Sequence, residues 1–228
     1  MGKEHAQLKL WTAVDRYFTE KLGLSDSSLE AALAANAAAN LPAIDVAANQ
    51  GKLLQLLARM IGARKILEFG TLGGYSTIFL ARALPEGGRL ITLEFSEKHA
   101  EVARQNIERA GVSDRVEILV GAALDSLPAI AAKNIAPFDL IFIDADKPNN
   151  AEYFSWAMKL SRRGTLIICD NVVRDGAVAD AETTDPAVQG ARKFFDALAA
   201  ESRVSATAVQ TVGSKGYDGF AMAFVTEE

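Results

Sequence analysis

The chain has 228 residues, of which half are hydrophobic and 23% are charged, and its formal net charge is −5 at neutral pH. This composition is typical of a globular protein with a sizeable core, and it excludes a fibrous or disordered chain. The negative charge disfavours nucleic acid as a partner, because phosphate backbones attract basic surfaces. The single cysteine, Cys169, rules out an internal disulfide and favours a reducing compartment, so we predict a cytoplasmic location. No apolar run reaches the roughly 18 residues of a membrane span, and no signal-peptide pattern opens the chain.

The N-terminal region is predicted to be helical. Apolar residues at spacings of three and four indicate an amphipathic helix over residues 4–22. Ser25 or Asp26 can cap a second helix, which runs through an alanine-rich tract and is broken by Pro42. Helical spacing returns over residues 47–62.

From residue 63 onward, short apolar segments alternate with helical ones. The predicted strands are Lys65–Phe69, Arg89–Glu94, Val116–Val120, Asp139–Asp144 and Thr165–Asp170. The predicted helices between them are Ser76–Ala83, Glu97–Ala110, Leu124–Lys133 and Asn149–Leu160. Each strand is apolar throughout, so we expect burial on both faces, as in a doubly wound parallel sheet. We therefore expect a single domain over residues 1–228, with a helical cap at 1–62 and an α/β core at 63–228.

The pattern changes after a helix predicted at residues 186–200. Two apolar stretches, 203–212 and 217–225, face each other across a Gly-Ser-Lys-Gly turn and predict a β-hairpin that completes the sheet. Residues 172–187 are polar and predict a surface loop or lid.

A glycine-rich turn follows the first predicted strand. Residues Ile66–Thr77 combine an apolar strand, the carboxylate of Glu68, the glycines Gly70, Gly73 and Gly74, and a helix start. In open α/β sheets, such a turn presents helix N–H groups to a ligand. The spacing is neither the dinucleotide G-x-G-x-x-G nor a P-loop. A carboxylate here would repel pyrophosphate but attract a cation such as S-adenosylmethionine, although a turn that binds no ligand is the alternative for this stretch alone.

Two further strand ends suit an adenosine-bearing cofactor. Glu94 ends the second strand, where an acid typically accepts the ribose hydroxyls. Small residues at 121–123 end the third strand and leave room for an adenine ring. A solvated acid at a helix start is the alternative for Glu94.

Oxygen-bearing side chains end the fourth and fifth strands. Asp144, Asp170 and Asn171 should meet at one edge of the sheet, and such ligands suit Mg²⁺, Mn²⁺ or Ca²⁺ and not zinc. Helix capping by these residues is the alternative. Lys147 lies beside them and could act as a general base with a pKa lowered toward neutrality, or form a salt bridge to Asp146 or to a surface acid.

Together these runs resemble the cation-dependent class I O-methyltransferases, which include the caffeoyl-CoA and catechol O-methyltransferases. The Leu-Glu-Phe-Gly-Thr run, the Asp-Ala-Asp-Lys run and the Asp-Asn pair match in order and spacing over residues 44–225. The resemblance implies a Rossmann-like seven-stranded sheet with an antiparallel last strand, S-adenosylmethionine as methyl donor, a vicinal-diol aromatic acceptor and a homodimer. By position, it implies cofactor contacts from Ile44, Val46, Glu68, Gly70, Thr71, Gly74, Ser76, Glu94, Ala123 and Asp144, metal ligation by Asp144, Asp170 and Asn171, and catalysis by Lys147 and Asp144.

Two features depart from that pattern. Asn49 and Gln50 stand where many relatives carry two acids, and Ala145 and Asp146 replace the two bulky residues of the catechol enzymes. The acceptor pocket should therefore be more open or more polar. Three alternatives remain from the sequence: an RNA methyltransferase, a nicotinamide oxidoreductase on the same sheet, and a non-catalytic protein that binds S-adenosylmethionine.

Overall fold

The computed structural model describes residues 2–133 and 135–227, with side chains from residue 5 onward. The helices are α1 (Gly2–Leu22), α2 (Ser27–Ala38), α3 (Ala48–Met60), α4 (Tyr75–Ala81), α5 (Glu97–Arg109), α6 (Ala123–Ala132), α7 (Asn150–Lys159) and α8 (Pro186–Ala200). The strands are β1 (Lys65–Phe69), β2 (Arg89–Glu94), β3 (Val116–Val120), β4 (Leu140–Ile143), β5 (Leu166–Asp170), β6 (Val204–Gly213) and β7 (Gly216–Val225). Short 3₁₀ turns lie at Ser113–Arg115, Lys147–Asn149 and Ala177–Ala179.

The seven strands form one sheet in the order β3-β2-β1-β4-β5-β7-β6. Strands β1 to β5 are parallel, whereas β7 runs antiparallel to both of its neighbours, β5 and β6. This arrangement confirms the predicted Rossmann-like, doubly wound sheet with its antiparallel last strand. The hairpin inserts β7 beside β5, so the earlier strand, β6, lies at the edge. The direction of winding reverses between β1 and β4, which is where such sheets bind ligands.

Local signals explain where two of the helices begin. Asp26, and not Ser25, caps α2, because its carboxylate accepts hydrogen bonds from the backbone N–H groups of Ser28 and Leu29. Helix α4 begins at Tyr75, one residue before the predicted start. Gly74 precedes it in the left-handed conformation (φ 83°), which costs a glycine little.

The sheet separates two apolar layers. Alternate residues of β1 contribute to opposite layers, as the period of two requires: Leu67 packs with α6, α7 and α8, whereas Ile66 packs with α3, α4 and α5. The prediction that every parallel strand is buried on both faces is right for β1, β4 and β5 but wrong for β3. Strand β3 is partly exposed along its length because it forms an edge of the sheet.

A buried carboxylate on helix α1, Asp15, bonds the helix to two other segments of the molecule. Asp15 accepts a hydrogen bond from the Asn49 side chain (2.9 Å) and another from the backbone N–H of Ser214 (2.7 Å). It therefore joins α1 to the start of α3 and to the β6–β7 turn. Among the described residues, no helix is both long and apolar enough to cross a membrane.

Candidate functional site

A cavity of about 750 Å³ opens at the carboxyl ends of β1, β2, β3 and β4. Its volume lies in the upper part of the range of roughly 300–1,000 Å³ that is typical of small-molecule sites. A smaller cavity of about 330 Å³ adjoins it on the side of α3 and the β6–β7 turn, and Asn171 lines both.

The glycine turn after β1 passes very close to the end of β4. A Cβ atom on Gly70 would lie 2.2 Å from the carbonyl oxygen of Asp144, and Gly70 itself has a φ of 90°. Hydrogen bonds hold this approach, because the Asp144 N–H donates to Phe69 and the Gly70 N–H donates to Leu93, both at 2.9 Å. Only glycine satisfies the spacing and the backbone conformation together.

Glu94 binds the turn from the neighbouring strand. Its Oε2 accepts hydrogen bonds from the N–H groups of Thr71 (3.1 Å) and Leu72 (2.8 Å), and its Oε1 accepts one from Ser96 (2.9 Å). The carboxylate lines the cavity, and its remaining lone pairs are available to hydroxyl groups of a ligand. Its first role in this structure is nevertheless to fix the turn.

Two buried asparagines support the turn from behind, and the sequence analysis missed both. The Nδ2 of Asn106 donates to the Gly73 carbonyl (2.9 Å) and to the Asn36 side chain (3.0 Å). The Asn36 side chain in turn donates to Asp45 (2.7 Å) beside the cavity. A signal existed in the sequence, since Asn106 is a polar residue on the apolar face of an otherwise amphipathic helix.

Glu68 does not line the cavity, although the resemblance implied a direct cofactor contact. Its side chain is fully buried behind α4, where its two oxygens accept hydrogen bonds from the hydroxyls of Ser76 (2.6 Å) and Thr77 (2.5 Å). Burial raises the pKa of Glu68 to about 7 despite these bonds. Glu68 therefore acts on the cavity through Ser76, which does line it.

Asp144 and Asp170 end adjacent strands, β4 and β5. Asp170 is almost completely buried, and its oxygens accept hydrogen bonds from the Gln50 side chain (2.6 Å) and from the Asn171 N–H (2.8 Å). Burial and the nearby Asp144 charge both raise the pKa of Asp170. Two carboxylates that disfavour each other's charge, beside the Asn171 amide, form a donor set that suits a hard divalent cation. Within the described part of the chain, no group of three or more His, Cys, Asp and Glu side chains is placed to hold a metal.

Lys147 pairs with Asp144 and not with Asp146. Its Nζ lies 2.6 Å from Asp144 Oδ1, and both side chains are largely buried. Burial disfavours the ammonium, but the Asp144 carboxylate outweighs burial and raises the pKa of Lys147. The expectation of a lowered pKa is therefore wrong while this pair is intact, because the lysine is the counter-ion of the carboxylate.

Asp146 has neutral partners. Its carboxylate accepts hydrogen bonds from the hydroxyl of Tyr153 and from the side chain of Asn149, and all three residues line the cavity. Asp146 was noted in the sequence as a departure from the family pattern. Tyr153, which lies about two helical turns later on α7, belongs to no motif and was not predicted.

The structure brings most of the predicted residues to the cavity wall. Those that line it are Ile44, Val46, Gly70, Thr71, Ser76, Glu94, Ala123, Asp144, Lys147 and Asn171. Glu68 and Gly74 do not line it, and Asp170 faces the adjoining smaller cavity.

A glycine turn, an acid after β2 and a cavity at the point where the winding reverses together define an α/β protein that binds an adenosine-type cofactor. The chain belongs to the O-methyltransferase family, whose sequence profile matches residues 24–222. This membership confirms the predicted enzyme class, an S-adenosylmethionine-dependent O-methyltransferase, and removes the nicotinamide oxidoreductase alternative.

Relatives align over nearly their whole length. A catechol O-methyltransferase from Niastella koreensis is 55% identical over 217 residues, covering 95% of this chain and 98% of that protein. A catechol O-methyltransferase from Mycobacterium tuberculosis is 54% identical over 212 residues, covering 93% and 94%. The crystal structure of an O-methyltransferase from Bacillus cereus in complex with SAH superposes with a TM-score of 0.95 at 63% identity, covering 96% of this chain and all of that one.

The pKa of Glu68 predicts a pH-dependent stability. Between its ordinary pKa of 4.5 and about 7, the unfolded chain loses this proton while the folded protein keeps it. The stability of the wild type should therefore fall as pH rises through this interval and then level off. Glu68→Gln removes this titrating group. The difference in free energy of unfolding between the variant and the wild type should therefore shift in favour of the variant by about 3 kcal/mol between pH 4.5 and 7.

Urea unfolding at several pH values measures this difference. Glu117→Gln, an exposed change on β3, is the matched control and should track the wild type at every pH. A constant offset between Glu68→Gln and the wild type would contradict the raised pKa.

Proposed function

We propose that this S-adenosylmethionine-dependent O-methyltransferase methylates one hydroxyl of a vicinal-diol aromatic small molecule with the help of a divalent cation. The observation that carries the proposal is the pair of carboxylates, Asp144 and Asp170, at adjacent strand ends beside Lys147 and the cofactor cavity. The names of the two catechol O-methyltransferase relatives support the acceptor class and favour a small aromatic molecule over RNA.

The methyl donor fits the part of the cavity formed by the glycine turn and the ends of β2 and β3. We assign the ribose to Glu94 and the adenine to the small residues around Ala123, all of which line the cavity. Ser76, held by Glu68, and the backbone of Gly70 lie where the amino-acid end of the donor would extend toward Asp144. The SAH complex of the Bacillus cereus protein supports this class of ligand.

Asp144, Asp170 and Asn171 are the residues that would hold the cation. When bound, a divalent cation supplies Lewis acidity that lowers the pKa of an acceptor hydroxyl. Gln50 contributes a neutral donor that keeps the Asp170 carboxylate oriented without adding a third negative charge.

Lys147 is the proposed general base. Its Nζ is held at the cavity wall by Asp144, and the carboxylate keeps it protonated while they pair. Neutralising the charge of Asp144 would remove the interaction that raises the pKa of Lys147, which frees the amine to accept a proton. The acceptor oxygen then forms a bond to the methyl carbon as the carbon–sulfur bond breaks, and the sulfonium becomes a neutral thioether. Fixing the two reactants in line provides much of the rate.

Exposed apolar residues on α1 support a homodimer as the assembly. Leu10, Tyr17 and Leu22 are 63%, 57% and 69% exposed, which is unusual for three large apolar side chains on one helix. A second copy of the chain would cover them. The cytoplasmic location stays a prediction from the cysteine content.

Metal dependence is the first test. Methyl transfer to catechol should vanish in EDTA and return with Mg²⁺ or Mn²⁺. Asp170→Ala should abolish turnover and calorimetric Mn²⁺ binding while leaving S-adenosylmethionine binding nearly intact, because Asp170 lies outside the cofactor cavity. Asp196→Ala, an exposed change on α8, should leave turnover, Mn²⁺ binding and S-adenosylmethionine binding unchanged. Full activity in EDTA would refute the metal site.

Lys147→Ala should keep Mn²⁺ binding but lower kcat by about 10²–10⁴-fold, the usual contribution of a general base. The deficit should shrink as pH rises, since hydroxide then removes the proton unaided. Initial rates across a pH series measure this effect, with the exposed Lys193→Ala as the control. A deficit that is the same at every pH would argue for a purely structural role of Lys147.

The assembly is tested by light scattering. The wild type should have the mass of two chains at micromolar concentration, and Tyr17→Glu should shift it toward one, because a charge would be buried in the apolar contact. Glu20→Gln on the same helix should have no effect. A wild-type monomer would remove the homodimer proposal.

A further inference from the structure

The acceptor end of the cavity contains a cation without a close partner, Arg174. The other two basic side chains that line the cavity, His99 and Lys147, have carboxylate partners at 3.2 and 2.6 Å. Among the described residues, the guanidinium of Arg174 pairs only with Asp218, and the separation of 3.6 Å is beyond hydrogen-bonding distance. The ion pair is therefore loose.

One guanidinium donor is left unsatisfied. The Nε of Arg174 is buried, and it has no hydrogen-bond partner among the described residues. Buried donors in native proteins are nearly always paired, so this one indicates a partner that comes from outside the chain. The planar guanidinium matches a carboxylate with two parallel hydrogen bonds, which makes an anion the best-fitting partner.

The backbone holds Arg174 in place. Its φ of 55° is left-handed, a strained conformation for an arginine. The Oδ1 of Asp218 fixes it by accepting hydrogen bonds from the N–H groups of Val173 and Arg174, both at 2.9 Å. Asp218 is thus engaged chiefly with the backbone, and the side chain it positions remains at the cavity wall.

The carboxylates at this end of the cavity have their own donors. Asp144 pairs with Lys147, and Asp146 accepts hydrogen bonds from Tyr153 and Asn149. Neither is in hydrogen-bond or salt-bridge contact with the guanidinium in the described structure. The positive charge of the Arg174 guanidinium is therefore available to a ligand.

We propose that Arg174 is a specificity-determining residue that selects acceptors carrying a carboxylate in addition to the diol. The carboxylate would receive two hydrogen bonds from the guanidinium, including the one that Nε lacks. This inference rests on the proposed function for the position of the diol, but it concerns the opposite end of the acceptor.

Two acceptors test the proposal: protocatechuate, which carries a carboxylate on the ring, and protocatechuyl alcohol, which carries a neutral hydroxymethyl group in its place. Arg174→Gln should lower kcat/KM for protocatechuate by about 10–100-fold, the scale of a lost hydrogen bond to a charged group, mainly through KM. The value for the alcohol should stay within about twofold. Arg174→Lys keeps the charge without the planar fork and should give an intermediate loss. Arg163→Gln changes an exposed arginine outside the cavity and should leave kcat/KM for both acceptors unchanged.

An equal loss for both acceptors, or no loss for either, would overturn the proposal. Failure of the proposed function looks different, because the wild type would then methylate neither compound. In that case, calorimetric binding of protocatechuate to the SAH complex decides the point. Binding that is lost in Arg174→Gln upholds the inference, and binding that is absent or equal in both proteins refutes it. Thermal melts confirm that each variant is folded.

Discussion

The whole site depends on the close approach of Gly70 to the backbone of Asp144. At 2.2 Å from the carbonyl oxygen, even a single methyl group would separate β1 from the end of β4. Because the two strands stay together, the glycine turn after β1 and Asp144 at the end of β4 share one wall of the cavity. The winding of the sheet reverses between these same strands. Methyl transfer needs the donor and the acceptor in line. The cavity wall on which this alignment depends is held together by a backbone contact and not by a side chain.

Charge is distributed around this contact with little redundancy. Asp144 and Asp170 oppose each other, whereas Lys147 pairs directly with Asp144 and its charge also favours the ionised form of Asp170. Gln50 contacts Asp170 at 2.6 Å, where an acid would add a third carboxylate to a buried cluster. The amide instead donates a hydrogen bond, so the cluster tolerates burial with one fewer negative charge. In the same way, the neutral amide of Asn49 donates a hydrogen bond to Asp15, where an acid would add a negative charge.

Short-range signals in the sequence were sufficient for the parallel strands, the glycine turn and the acids at the strand ends. They were insufficient where sheet order decides the outcome. A hairpin signal pairs β6 with β7 but does not say which of them joins β5, and the exposure of β3 follows only from its edge position. Glu68 is a different case. The period of two in β1 places it on the face of Ile66, but only the structure shows that α4 covers this face and separates Glu68 from the cavity.

Arg174 could not be found from a motif, because its position depends on a segment that is distant in the chain. Tyr153 lies seven residues from its partner Asp146, but no motif marks the pair. Asp218 reaches back 44 residues to set the backbone of Arg174. The side chains of Arg174 and Tyr153 both line the cavity, so their positions relative to a ligand follow from the tertiary structure and not from a local pattern in the sequence.

The bond between Asp15 and Ser214 also bears on the order of folding. It spans 199 residues, so α1 emerges from the ribosome long before the turn that anchors it. During synthesis, the Asp15 carboxylate cannot accept the hydrogen bond from Ser214 until the last strands have formed. Such a long-range contact slows folding and delays the docking of α1. Completion of the C-terminal hairpin is therefore the step that commits the first helix to its place.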